Sequence, residues 1–365
     1  MLITPFLQAL ALSTTLLVPN GCQEPHTVPG PEAEDLVARV RGTIVISEPV
    51  GGLRTVLLPR KDLSTPRVPD SGLLPVHSVA GPDARGRIAF IENDMLKKHH
   101  SLKLIGLDGE GEATVFEAQG DTLWEHAAGK YLALDARGEL LALVARAEGM
   151  QLRSRDAYLM EGELEVWRVE SRERVASPHR ALDDTLAWFP DGKRLAYTAL
   201  IDPAEAEALL RVHVRPDEEF GRATKGWERV PAVHVLDLET GRSRAVHAGE
   251  RPLVSPDGRS ILLQDFELHW RILDLETNQS RPFAAVGAIH PGAIAFVDPD
   301  TVLYWAWPTE GSATEYTEHN SPLVGKKQMR ALKLVDLRDG RFQTAVPFVD
   351  PRHAVSFGNW GPDGR

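Results

Sequence analysis

The sequence contains a single cysteine, Cys22, and no lysine or arginine before Arg39. Without a second cysteine the chain cannot form an internal disulfide, so its stability must come from packing. Long basic runs are also missing, and the formal net charge is −11. Because nucleic acids and anionic membrane surfaces attract basic proteins, we expect neither as a partner.

Catalytic signatures are missing as well. The sequence has no Gly-x-Ser-x-Gly, no His-Glu-x-x-His and no phosphate-binding glycine loop. These motifs place a nucleophile, a zinc ion or a phosphate in a defined backbone setting, so their absence removes the usual signs of such chemistry. We therefore assign no catalytic residue and no resident cofactor, and we expect a non-enzymatic protein.

One apolar run stands out, Phe6–Val18, and it is followed by a stretch rich in proline, glycine and glutamate. Its length suits a secretory signal better than a membrane span, so we predict a signal peptide over residues 1–22. Cys22 lies just past the run and resembles the lipidated cysteine of bacterial lipoproteins, which implies a lipid anchor there. The alternative is a plain cleaved signal with Cys22 incidental. Residues 23–37 are then a flexible tether, and the location is extracytoplasmic, either periplasmic or secreted.

A repeated turn is what the sequence has in abundance. Trp-Phe-Pro-Asp-Gly-Lys at 188–193 recurs as Val-Ser-Pro-Asp-Gly-Arg at 254–259 and as Trp-Gly-Pro-Asp-Gly-Arg at 360–365, with weaker copies near 83, 135 and 298. Proline presets φ, aspartate bonds its own backbone and glycine accepts a positive φ, so each copy predicts a turn between two strands. A second phrase, Leu-Asp-Leu-Glu-Thr-Gly at 236–241, recurs at 273–278 and 334–340 and predicts another hairpin.

The spacing of the two phrases predicts six units of four short strands each. A lone four-stranded sheet cannot bury both faces, so the units must stack around an axis. We therefore predict an all-β fold over residues 38–365, a six-bladed β-propeller of four-stranded antiparallel blades. The last blade is split between the chain ends, with an inner strand within His353–Trp360 and outer strands at Gly42–Ser47 and Leu53–Leu58. Leu36–Val40 is the segment we expect to supply its remaining strand.

The Pro-Asp-Gly-Lys/Arg turn before an apolar strand, together with the Leu-Asp-Leu-Glu-Thr-Gly turn, resembles the TolB-type propeller repeat, which is related to Trp-Asp repeats. The resemblance covers about residues 38–365 and is strongest in the third and fourth units. It implies a binding or scaffold role in a bacterial cell envelope, with a protein or peptide as the partner and the chain as a monomer.

Four histidines form a second pattern. His126, His247, His290 and His353 each lie ten positions before the column defined by Asp191 and Asp257, at 136, 257, 300 and 363. This places them where the chain enters an innermost strand, near one mouth of the central channel. Imidazoles that converge there could bind zinc or copper. The alternative is that polar residues simply occupy exposed linkers.

Three insertions interrupt the repeated units: Glu148–Gly162, Asp202–Pro231 and Thr309–Gln328. All three fall between the second and third strands of their units, and Pro203–Arg211 predicts a short helix. Insertions on one face of a repeat ring typically mark its binding face. We expect a protein or peptide to bind there. The alternatives are a metal-dependent hydrolase or lactonase-like enzyme at the channel mouth, or an accessory propeller for a separately encoded hydrolase.

Overall fold

The computed structural model describes most of the chain from residue 36 onwards. It covers residues 36–48, 52–58, 63–64, 76–94, 99–107, 109–119, 132–153, 158–175, 179–182, 185–213, 227–266, 269–283, 289–306, 330–349 and 355–358. Within these ranges the strands pair antiparallel in six sheets. The fold is an all-β propeller, as predicted. The predicted signal peptide, with Cys22, lies outside the described residues.

The elements follow in chain order. Helix α1 is Leu36–Arg39, and the first three strands are β1 (Gly42–Glu48), β2 (Gly52–Leu58) and β3 (Leu63–Ser64). Sheet 1 contains β4 (Val76–Ala80), β5 (Arg87–Asp94), β6 (His99–Gly106) and β7 (Ala113–Gln119). Sheet 2 contains β8 (Leu132–Leu134), β9 (Leu140–Arg153), β10 (Tyr158–Arg168), β11 (Glu173–Arg174) and β12 (His179–Leu182). Sheet 3 contains β13 (Ala187–Trp188), β14 (Arg194–Ile201), helix α2 (Pro203–His213), β15 (Val230–Asp237) and β16 (Arg242–Ala248).

Sheets 4 and 5 have the same plan. Sheet 4 contains β17 (Glu250–Val254), β18 (Ser260–Gln264), β19 (Trp270–Asp274) and β20 (Gln279–Pro282). Sheet 5 contains β21 (Ile289–Asp298), β22 (Thr301–Ala306), β23 (Arg330–Asp336) and β24 (Phe342–Val349), and β25 (Val355–Gly358) ends the series. The first strands of successive sheets contact one another around the axis, so they are the innermost strands.

The predicted four-stranded plan holds, with a divided outer strand in one sheet. Five sheets of the described chain have four strands, whereas sheet 2 has five. Both β11 and β12 pair with β10, at Arg168 and Trp167 for β11 and at residues 161–164 for β12. The outer strand of sheet 2 is thus divided in two. The sequence between its two parts contains Pro178, which has no N–H to donate to a ladder.

The predicted ring closure is confirmed, although its strands are assigned differently. β25 pairs with β1, with Ile44 opposite Phe357, so the two chain ends share the closing sheet β25-β1-β2-β3. β1 is therefore the second strand of this sheet and the short β3 is its outermost one. Residues 36–39 form helix α1 instead of the expected strand.

Helix α1 fastens the amino-terminal side of the propeller to sheet 5. Leu36 and Val37 are buried in the cluster that joins sheet 5 to the closing sheet. Arg39 donates to Asp336 Oδ2 at 3.2 Å and to the Thr301 hydroxyl. The Arg338 guanidinium, which also bonds Asp336, holds the pKa of that carboxyl well below its usual range. Leu36 and Val37, which we assigned to the tether, therefore belong to helix α1.

Apolar side chains fill every seam between neighbouring sheets of the described ring. The clusters are centred on Leu102 and Leu141 for sheets 1 and 2, Leu164 and Leu195 for 2 and 3, Val233 and Ile261 for 3 and 4, Leu262 and Val302 for 4 and 5, Ile44 and Leu303 for 5 and the closing sheet, and Val45 and Ile88 for the closing sheet and sheet 1. Both faces of each sheet are therefore buried against a neighbour, as a propeller requires.

The repeated turns have one geometry, and it corrects the sequence alignment. Gly86, Gly138, Gly192 and Gly258 share a φ near +70°, and each N–H donates to the carbonyl three residues earlier. Aligned on these glycines, Asp191 and Asp257 match Arg85 and Arg137, one residue beyond the column that we assigned. His126 therefore lies eleven residues before its turn position, and the constant offset of ten is lost in that unit.

These turns also interlock around the ring. Arg87 of sheet 1 donates to the Gly138 carbonyl of sheet 2 at 2.7 Å, and Arg137 of sheet 2 donates to the Asp191 carbonyl of sheet 3 at 3.3 Å. A Cβ at Gly138 would lie 1.8 Å from Asp83 Oδ2, a carboxylate that the N–H groups of residues 85 and 87 hold in place. The repeated turns therefore hold neighbouring sheets together.

We predict that Gly138→Ala destabilises the protein more than Gly241→Ala does. Both glycines have a φ near +67°, so each alanine costs about 1–2 kcal/mol of backbone strain. Only Gly138 is crowded, because nothing lies within 4 Å of a Cβ at Gly241. We expect a further loss of about 1–3 kcal/mol for Gly138→Ala, measured by urea unfolding. Equal losses would contradict the interlocking of the turns.

Candidate functional site

The two ends of the propeller carry different connections. Because strands alternate in direction within a sheet, the Pro-Asp-Gly turns and the third-to-fourth-strand turns lie at one end, which we call the turn face. The second-to-third-strand connections and the links between sheets lie at the other end, which we call the insertion face. The two longest second-to-third-strand connections, 202–229 and 307–329, and the extended β9–β10 hairpin all lie between second and third strands, as predicted, and therefore on the insertion face.

The insertion in sheet 3 contains the predicted helix. Helix α2 packs Ala206 and Leu210 against Ile201 and Val230, and it contacts the outer strands β16 and β20. At the end of the insertion, Trp227 meets Phe266 of sheet 4 edge to face, with ring centroids 6.5 Å apart. The insertion is thus anchored across the outer edges of sheets 3 and 4 by an apolar cluster.

A buried carboxylate joins the insertions of sheets 2 and 3. Glu161 has a side chain only 2% exposed, and it accepts a hydrogen bond from Arg180 at 3.0 Å and one from Arg229 at 3.4 Å. Arg229, which leads into β15, also donates to the Leu200 carbonyl at 2.6 Å. Because Glu161 and Arg229 belong to different sheets, this bridge fixes the two insertions relative to each other.

The link from sheet 3 to sheet 4 is a tight crossing made of Gly249 alone. A Cβ at this glycine, whose φ is +144°, would lie 2.5 Å from the Gln264 carbonyl oxygen. Arg251 follows with a φ of +58°, donates its N–H to Thr198 Oγ1 at 3.3 Å and contacts Gln264 Oε1 at 3.0 Å. Polar side chains from sheets 3 and 4 therefore converge beside the channel on the insertion face.

Of the four candidate metal ligands, only His247 has a side chain within the described part of the structure. His247 lies in the outermost strand β16, fully buried, with Nδ1 2.7 Å from the Ala248 carbonyl oxygen. It is not in an exposed linker, because the link that follows is a single residue. His290 lies in β21 with its side chain outside the description, and His126 and His353 fall outside the described residues. Among the residues described, no group of three or more metal-binding side chains occurs.

Sequence reasoning missed a polar cluster in the seam between sheets 2 and 3. Tyr197 lies between His179 and His234, with ring centroids 6.4 and 5.4 Å away, and its hydroxyl is 2.7 Å from Ser243 Oγ. His234 Nδ1 lies 3.3 Å from Ser243 Oγ as well. Burial, together with a smaller contribution from a charge on His179, lowers the pKa of His234 to about 4. Burial raises the pKa of the Tyr197 hydroxyl.

A repeated spacing would have revealed this cluster. In each of sheets 1 to 5, a polar residue on the third strand contacts a residue nine positions later, on the outer strand or directly before it. The pairs are Lys103–Glu112 at 2.8 Å, Glu165–Arg174 at 3.0 Å, His234–Ser243 at 3.3 Å, Arg271–Ser280 at 2.9 Å and Lys333 over the Phe342 ring at 4.5 Å. In the closing sheet, Thr55 lies opposite Ser64 at the same spacing. Sheet 3 alone places a histidine at this third-strand position.

No family model and no curated protein matches the chain. Among solved structures, it is similar to TolB from Acinetobacter baumannii, with 15% identity and a TM-score of 0.55, over 87% of this chain and 66% of that chain. It is also similar to a chain of a nidogen/laminin complex, with 9% identity and a TM-score of 0.51, over 87% and 98% of the two chains. These likenesses confirm the TolB-like propeller fold, and at these identities they show the fold alone.

The chain spans less than two thirds of the length of the TolB structure. Within the described residues, neither helix has the length and apolar character needed to cross a bilayer.

We predict that Glu161→Gln loosens the insertion face, whereas Glu239→Gln does not. The neutral amide leaves Arg180 and Arg229 without their shared counter-ion, so we expect a loss of about 1–3 kcal/mol, less than for a fully buried pair because both arginines are partly exposed. Glu239 pairs with Lys193 at 2.6 Å on the open surface, where ion pairs contribute little. Urea unfolding and limited proteolysis within 202–229 measure the difference. The same response from both variants would contradict a bridging role for Glu161.

Proposed function

We propose that this protein is a non-enzymatic binding propeller that recognises a protein or peptide partner through its insertion face. The observation that carries the proposal is the placement of the two longest connections, 202–229 and 307–329, and of the extended β9–β10 hairpin on one end of the ring. Neutral drift would distribute long loops over both ends, whereas selection for binding concentrates them. The TolB-like fold supports a scaffold role, because a propeller presents loops on a rigid ring.

The construction of the insertion face fits binding. Helix α2 and Trp227 are anchored by apolar packing, and the Glu161 bridge ties the sheet 2 and sheet 3 insertions together. A surface that is held before binding loses less conformational entropy on association, so its contacts convert more fully into affinity. Val212 of α2, 62% exposed, offers an apolar contact at the rim of this surface.

We place this function outside the cytoplasm, in the periplasm or as a secreted protein. The support is the apolar run Phe6–Val18 with Cys22 just after it, which favours export and a lipid anchor. A lipid on Cys22 would hold the propeller at a membrane through the segment that follows this cysteine. The acidic net charge fits a protein partner better than nucleic acid.

Site-specific photo-crosslinking tests the proposal with two matched positions. The exposed valines Val212 and Val175 lie on the insertion side and near the turn face, respectively, with exposures of 62% and 37%. A benzophenone amino acid at 212 should give a discrete adduct in the envelope fraction, and the same probe at 175 should not. Deleting residues 312–322 should remove the adduct while urea unfolding stays unchanged. Adducts of equal yield at both positions, or none at 212, would contradict the proposal.

A further inference from the structure

The seam between sheets 2 and 3 contains two buried imidazole nitrogens that no described residue bonds. His179 comes from β12 and His234 from β15, and the Nε2 atom of each ring is buried with no hydrogen-bond partner in the part of the chain that the structure describes. Buried polar atoms in native proteins are almost always bonded, so two in one seam need an explanation. A neutral imidazole keeps such an atom as a lone pair, which is where a proton would add.

The described residues around the two rings offer no counter-charge for that proton. β10 presents Leu164 and Val166 to this seam, β14 presents Tyr197 and β16 presents Ser243. Leu164 lies opposite His179 in the ladder, and the neighbouring Arg180 bonds Glu161 at the insertion face. No carboxylate of the described residues is bonded to either ring. Protonation of His234 would therefore place a charge in an apolar seam, where burial disfavours it.

The same seam holds the insertion face together. Trp188 of sheet 3 donates across it to the Ala133 carbonyl at 3.0 Å, near the turn face. At the other end, Leu182 packs on Leu200 and Glu161 bonds Arg229. The histidines lie between these two groups of contacts, so a charge on them acts on both.

We propose that His179 and His234 form a proton-operated latch that holds sheets 2 and 3 together at neutral pH and loosens the insertion face in acid. This inference rests on the proposed function of that face, whose regulation it names. An acidified exterior would then weaken binding without any change in the binding residues themselves.

Acid destabilises the fold because the pKa of His234 is lower in the folded protein than in the unfolded chain. An unfolded histidine titrates near 6.5, and the pKa of His234 in the fold is about 4. The stabilising contribution is therefore complete above pH 6.5 and is lost as the pH falls from 6.5 towards 4. Between pH 7 and pH 5, His234 alone lowers the folding equilibrium constant roughly twentyfold.

Hydrogen exchange on the isolated protein at pH 7 and pH 5 tests the latch, after correction for the intrinsic pH dependence of exchange. In the wild type, protection in β12, β14, β15 and α2 should fall at least tenfold at pH 5. The double variant His179→Gln/His234→Gln should lose this response. His269→Gln removes an exposed histidine of sheet 4 and should keep it in full. An unchanged response in the double variant, or a response in the seam that does not reach α2, would overturn the proposal.

An NMR titration of the wild-type imidazoles covers the case in which the double variant does not fold. A midpoint for His234 well below 6 supports the latch, whereas a midpoint at 6.5 or above overturns it. Neither measurement uses a partner. If cross-linking finds no partner and the latch responds as expected, the proposed function is contradicted and the pH-dependent latch is supported.

Discussion

The propeller depends on apolar seams that join each sheet to the next around the whole ring. A single four-stranded sheet has two apolar faces and no helix to cover either of them, so each face must meet a neighbouring sheet. The ring makes this possible only if it closes, and closure requires β25 at one chain end to pair with β1 near the other. Helix α1 adds a second fastening at this point, because Leu36 and Val37 join the same cluster as Ile44 and Leu303. No disulfide is available to hold the ends, so packing and the ladder do so.

The sequence predicted this plan well because turns and ring closure leave strong local signals. Pro-Asp-Gly before an apolar run marks the first hairpin of a unit, and the pairing of Ile44 with Phe357 follows from the missing strands at the two ends. The errors lie where the local signal is weak. Asp83 and Asp135 stand two positions earlier in their turns than Asp191 does, and the column that we assigned to these two turns, at 84 and 136, was one residue too early. The divided outer strand of sheet 2 depends on a ladder along β10 that no short motif encodes.

The candidate site was predictable in location but not in chemistry. Strand alternation alone places every second-to-third-strand connection at one end, so the insertion face followed from counting strands. Its contacts did not follow, because Glu161, Arg180 and Arg229 are far apart in sequence and meet only through the seam. The four candidate histidines were selected by their spacing alone, and one of them, His247, lies buried in an outer strand. The spacing of nine between the third and outer strands carried the more useful signal.

That repeated pair shows how one structural position can acquire a second role. In sheets 1, 2, 4 and 5 the third-strand residue is a lysine, a glutamate or an arginine, which keeps one charge state across the physiological range. Each is satisfied by the residue nine positions later and stabilises its own hairpin. In sheet 3 the pair is His234 and Ser243, and a serine cannot neutralise an imidazolium. The hairpin contact survives, but stability now depends on a group whose pKa lies near neutrality in the unfolded chain and is lowered to about 4 in the fold. Because His179 faces the same tyrosine from sheet 2, the dependence is transferred from one hairpin to the seam beneath the insertion face.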